Sequence, residues 1–158
     1  MHPFIQKIVE PLVSRSARVC PFLIQKVSLE KVLSQVFALE IAEGDLDCLE
    51  GRWLKVYVKD MQIGWRITLS GNRVEVERVE GEADVTISGN AREFALLVSR
   101  QEDPDTLFFQ RRLTIEGDTE LGLEVKNILD ALDHENLPFP LKQLLDSVSH
   151  VSRFIYAA

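Results

Sequence analysis

The chain has 158 residues, 46% of them hydrophobic, which is enough for one domain with a sizeable core and too few for two ordinary ones. Its net charge is −7, unevenly spread: the first 35 residues hold five basic and two acidic side chains, so a net +3 precedes a net −10 in the remainder. An acidic body with no aromatic-rich basic stripe speaks against nucleic-acid binding, and no run approaches the roughly eighteen apolar residues of a membrane span.

In chain order, residues 1–28 read as an amphipathic arm. Phe4, Ile5, Ile8, Val9, Leu12 and Val13 recur at helical spacing, with Lys7, Arg15 and Arg18 supplying positive charge, and Pro11 interrupts the helix. The arm either packs on the domain or contacts an anionic membrane surface or a partner. Periodicity does not choose between an apolar core and a bilayer. Phe4, Ile5, Lys7, Ile8, Leu12, Arg15 and Arg18 are the candidate membrane contacts.

Residues 29–158 form the expected domain. A helix is expected from about Ser28, with Leu29, Val32, Leu33, Val36 and Phe37 as its stripe and Gly44 as its stop. Period-2 alternation follows: Leu54, Val56 and Val58, then Ile63, Trp65, Ile67 and Leu69, then Val74 and Val76 after a hairpin at Ser70-Gly71-Asn72. A fourth strand places Ala83, Val85 and Ile87 inward and Asp84, Thr86 and Ser88 outward. Asn90 and Glu93 stand in capping-box relation before a helix carrying Phe94, Leu97 and Val98, which ends before Pro104. The fifth strand is Arg112 to Glu116. Gly117 permits a turn, Asp118 is a cap residue, and Leu121, Val125, Ile128, Leu129 and Leu132 form the inner stripe of the next helix. A last helix places Leu141, Leu144, Leu145, Val148, Val151 and Ile155 on one side. The expectation is an α+β fold: a five-stranded, mostly antiparallel sheet with helices covering one face.

Chemistry is sparse. His2, His134 and His150 are scattered without metal-ligand spacing, and Cys20 and Cys48 form no CxxC pair, so no metal, cofactor or reactive thiol is expected. Widely spaced cysteines and the absence of a cleavable signal segment suit the cytoplasm. Asp118, Glu120 and Glu124 sit where a helix start favours acids, so capping explains them without catalysis. Arg111 and Arg112 beside Phe108 and Phe109 could hold an anionic head group, or could pair with Asp103, Asp105 or Glu116. A small lipid esterase or thioesterase would need an activated nucleophile, and no G-x-S-x-G elbow is present.

The stretch Asp103-Pro104-Asp105-Thr106-Leu107-Phe108-Phe109-Gln110-Arg111-Arg112, followed by Glu116-Gly117-Asp118-Thr119-Glu120-Leu121-Gly122-Leu123, resembles the sterol-carrier-protein lipid-binding domains. Within them it is similar to the bacterial UbiT (YhbT) group, with Leu49-Glu50-Gly51-Arg52-Trp53-Leu54 as further support. The resemblance implies an apolar tunnel between helices and sheet, lined by Trp53, Trp65, Phe94, Leu97, Val98, Phe108, Phe109, Leu121, Val125 and Leu129, with Arg111 and Arg112 at its mouth. It also implies a non-catalytic accessory role in oxygen-independent ubiquinone synthesis. The ligand would be a polyprenylated quinone precursor, presented to UbiU and UbiV, and the site of action the cytoplasm or the inner-membrane surface. A general phospholipid or fatty-acyl carrier is the alternative cargo reading.

Overall fold

In the computed structural model, residues 20–132 are described, together with Lys142, Gln143, Asp146 and His150, which have helical backbone. The expected arm contacts and the apolar stripe of the last helix lie outside the described residues. The elements are α1 (Phe22–Val36), α2 (Ala38–Glu43), a 3-10 turn (Asp47–Leu49), β1 (Leu54–Val58), β2 (Ile63–Ser70), β3 (Arg73–Arg78), β4 (Val85–Gly89), α3 (Ala91–Val98), α4 (Pro104–Phe109), β5 (Leu113–Gly117) and α5 (Thr119–Ala131).

The five strands form one sheet in the order β3-β2-β1-β4-β5. β1 pairs antiparallel with β2, β2 with β3 and β4 with β5, while β1 and β4 run parallel because the chain crosses back from β3 before entering β4. The β2–β3 hairpin closes with Gly71 and Asn72 at φ of 54° and 62°, the left-handed pair that matches the twist of the strands.

Register sorts the side chains into two faces. Leu54, Val56 and Val58 align across the sheet with Ile67, Trp65 and Ile63, and with Val85, Ile87 and Gly89. Lys55 and Tyr57 align instead with Arg66 and Gly64, and with Thr86 and Ser88. The apolar face is roofed by helices: Leu54, Leu69, Val85 and Ile87 form one buried cluster with Leu46, Leu49, Leu121 and Val125. Gly122 permits this approach of α5, since a Cβ there would lie 2.5 Å from Ile115 Cγ2. At the start of α5, Gly117 adopts φ 102° and the Asp118 carboxylate accepts from the Glu120 and Leu121 N–H groups at 3.1 Å, as the Gly-Asp pair led one to expect.

Four local expectations are corrected. Helix α1 begins at Phe22 after Pro21, ahead of Ser28, and its expected stripe is half-buried, with no residue of the helix fully buried. Asn90 makes no side-chain cap: the Ala91 N–H donates to Asp60 Oδ1 at 2.9 Å, and Glu93 turns to Arg112. Ser88 keeps the outward face beside Tyr57 but is buried there instead of exposed, with its hydroxyl satisfied by Thr114 Oγ1 at 2.9 Å on the neighbouring strand. Pro104 starts a helix instead of only ending one. It occupies the first turn of α4, where its missing N–H costs nothing, and Asp103 accepts from the Thr106 N–H at 3.1 Å.

Candidate lipid-binding site

The helical roof and the apolar sheet face bring together most of the expected lining. Leu121 and Val125 are buried in the core cluster, and Phe94, Phe108 and Leu129 pack half-buried against it. Trp65 shares the face of Val56 and is half-buried, and Leu97 is half-buried on α3. Three residues stand apart. Val98 is 42% exposed, and the buried residue of α3 is Leu96. Phe109 is 90% exposed at the end of α4, beside an open depression of about 420 Å3 lined by Asp105, Thr106, Phe109 and Gln110. Trp53 lies on the opposite side of the sheet, its ring under the Arg66 guanidinium at 4.7 Å, because it is in phase with Lys55 rather than Leu54.

The two arginines also separate. Arg112 donates to Glu93 Oε2 through Nε at 2.8 Å, pairs with Glu102 through Nη1 and reaches Gln110 Oε1 at 3.3 Å. Burial alone would lower its pKa, but Glu102 and Glu93 outweigh that and raise it, so the guanidinium stays charged with its fork committed to these carboxylates. Its partners differ from the Asp103, Asp105 and Glu116 considered from sequence. Arg111 is exposed and makes no ion pair among the described residues.

One closing device had no sequence signal. On the edge strand β3, the Val76 N–H donates to Glu30 Oε1 at 2.9 Å, and the Val76 carbonyl accepts from Lys26 Nζ at 2.6 Å. Lys26 also bridges Glu30 at 3.0 Å and Glu77 at 3.1 Å. Two side chains one helical turn apart thus satisfy backbone groups that an open edge would expose. The same helix covers the indole of Trp65, whose Nε1 donates to Gln25 Oε1 at 2.9 Å, while Arg78 stacks on Phe22 at 4.5 Å.

Three side chains with nucleophilic atoms, Cys48, Ser88 and Ser99, have definite surroundings. Burial pushes the Cys48 thiol up to about 11, helped by Glu124. Ser88 bonds to Thr114, and Ser99 donates to the Ala95 carbonyl at 2.5 Å. Among the described residues, no cluster of His, Cys, Asp or Glu could hold a metal ion, and no helix is long and apolar enough to cross a membrane.

An antiparallel-dominated sheet with one helix-roofed apolar face defines an α+β fold whose core lies between the helices and that face. The chain belongs to the SCP-2 sterol transfer family, whose model it matches over residues 29–130. Within that class, the Escherichia coli (strain K12) ubiquinone biosynthesis accessory factor UbiT is 42% identical to it over 134 residues, 85% of this chain and 76% of the relative. Among solved structures, the UbiJ-SCP2 ubiquinone synthesis protein superposes with a TM-score of 0.57 at 23% identity, covering 70% of this chain and 93% of that one. Sterol carrier protein 2 gives 0.50 at 12% identity, covering 78% and 94%. At these identities the two structures speak to fold alone.

Proposed function

We propose that this chain is a non-catalytic, lipid-binding accessory factor of oxygen-independent ubiquinone biosynthesis. It holds the polyprenyl tail of a quinone precursor between the helices and the apolar sheet face, and presents the aromatic head to hydroxylating partners, UbiU and UbiV. The observation that carries this reading is the helix-roofed apolar face in a chain 42% identical to UbiT. Each tail methylene moved out of water contributes about 0.8 kcal/mol, so a long isoprenoid gains more from such a space than its head could from one polar contact.

The proposed lining is Trp65, Phe94, Leu97, Phe108, Leu121, Val125 and Leu129, all on the helix side of the sheet or on the helices that cover it. Arg111 is the cation left for a head group, since Arg112 is held by Glu93 and Glu102. Delivery involves transient contact of the basic, apolar residues 1–19 with the inner-membrane surface. The test is Leu97→Asp, which alters a half-buried lining position without touching the central cluster. Loss of co-purifying lipid with unchanged circular dichroism is expected. Undiminished lipid in the folded variant overturns the placement of the cargo.

A further inference from the structure

Among the described residues that are not exposed, every side-chain nitrogen or oxygen shut off from solvent has a hydrogen-bond partner except one, Oε2 of Glu40. The buried hydroxyls follow the rule: Thr68 donates to the Leu49 carbonyl at 3.0 Å, and Ser88 pairs with Thr114 at 2.9 Å. An acceptor removed from water with nothing to accept from costs stability, so its retention calls for a reason outside the fold.

Glu40 has no local duty that supplies one. It is the third residue of α2, where a glutamate commonly reaches back to the N–H of the residue before the helix. That N–H, of Phe37, already donates to the Leu33 carbonyl at 2.9 Å, because α2 follows α1 without a loop. Glu40 also joins no ion pair among the described residues. Its neighbours place it beside the lipid-holding interior. Phe37 and Ile41 pack on the buried cluster, and past Gly44 the chain contributes Leu46 and Leu49 to the same cluster. Three residues after Phe37 and one before Ile41, Glu40 borders the inward arc of α2, whereas Ala38, Leu39, Ala42 and Glu43 are exposed.

We propose that Glu40 is a specificity residue of the cargo site, its Oε2 accepting a hydrogen bond from a hydroxyl on the aromatic head of the cargo. This rests on the reading of the interior as the place of a prenylated aromatic, and it sharpens that reading. An acidic acceptor bordering an apolar face favours a neutral phenol, whose O–H donates to it. It disfavours a phospholipid or an ionised fatty acid, whose anionic group offers no proton and is repelled. Arg111 suits an anionic substituent and Glu40 a donor, so the two do not compete for one group.

The experiment offers 2-geranylgeranylphenol and its methyl ether, in equal amounts from the same mixed micelles, to the full-length protein, and reads the ratio of bound masses by native mass spectrometry. The ether keeps the ring and tail and lacks only the donor. The parent protein should hold the phenol over the ether by tenfold or more. Glu40→Leu should bind both with a ratio near one and melt no lower than the parent, since it removes the unpartnered acceptor. Glu40→Gln keeps an uncharged acceptor and should retain a reduced preference. Equal binding of phenol and ether by the parent, or an unchanged preference in Glu40→Leu, overturns the role of Glu40 and leaves the cargo reading standing. A Glu40→Leu variant that melts lower or fails to fold shows that the fold itself uses the carboxylate, and also overturns it. Binding of neither probe by the parent overturns the cargo reading and this proposal with it.

Discussion

Replacing Glu30 with alanine removes the acceptor for the Val76 N–H and one of the two carboxylates that hold Lys26. A hydrogen bond to a charged group is worth about 1.5–3 kcal/mol, and the lower half of that range applies because the Lys26 and Glu30 side chains are each 27% exposed. The expected loss is about 2 kcal/mol, a fall in Tm of roughly 4–8 °C for a chain of this size. Glu30→Gln keeps an acceptor for Val76 and should lose about half as much. Burial alone would lower the Lys26 pKa, but its bonds to Glu30 and Glu77 outweigh this and raise it above 10.5. The pair's contribution is therefore fully present at pH 7 and fades as pH climbs past the folded value. Urea denaturation at pH 7 measures the effect as a shift in midpoint at constant slope. A midpoint for Glu30→Ala within error of the parent would refute the edge-capping account, as would a Gln variant as weak as the Ala one. The alanine variant should also scatter more light on standing, since it leaves β3 open to pairing with other copies.

Three further outcomes are expected. Gly122→Ala should lower stability by about 1–3 kcal/mol in thermal melts, because its Cβ would meet Ile115 Cγ2 at 2.5 Å. A stabilised variant, as helix propensity alone would give, would contradict the close helix–sheet packing. Cys48, assayed in a Cys20→Ser background, should react with iodoacetamide on the order of 100-fold more slowly at pH 8 than a thiol at its ordinary value of 9.0. Its rate should rise about tenfold per pH unit up to about pH 11, whereas a plateau near pH 9 would show the thiol to be unperturbed. Removing residues 1–19 should reduce flotation with anionic liposomes at low salt and leave bound lipid unchanged. Normal flotation with lost lipid would make the arm part of the lipid enclosure.

The sheet was legible because alternation is a local signal: Leu54 to Val58, Ile63 to Leu69 and the Gly71-Asn72 turn carry their register in the residues themselves. The turn at Gly117 and the cap at Asp118 were legible for the same reason. Helix ends were harder. Both α3 and α4 close with an arginine at the left-handed position, Arg100 at φ 55° and Arg111 at φ 58°, so the glycine that announces a helix end is missing. Helix α4 was hidden because Pro104 was read as a terminator, although Asp103 before it carried the cap signal. Trp53 was grouped with the lining on chemistry, while the alternation that assigns Lys55 and Tyr57 to the polar face assigns Trp53 there too. The Lys26–Glu30–Val76 closure joins residues about fifty positions apart and has no local signature. Arg112 was left between a head group and pairing with Asp103, Asp105 or Glu116, because its actual partners, Glu93 on α3 and Glu102 in the loop after it, are nineteen and ten residues away and meet it only in the folded chain.

Whether the interior between helices and sheet carries an isoprenoid quinone precursor is tested most directly on the full-length protein, purified from its own host under anaerobic growth. Native mass spectrometry followed by organic extraction reads the cargo. The expected result is a bound species whose mass and extract match a polyprenylated aromatic precursor, lost in Leu97→Asp. Extraction of phospholipid alone, or of nothing but water-soluble metabolites, would contradict it.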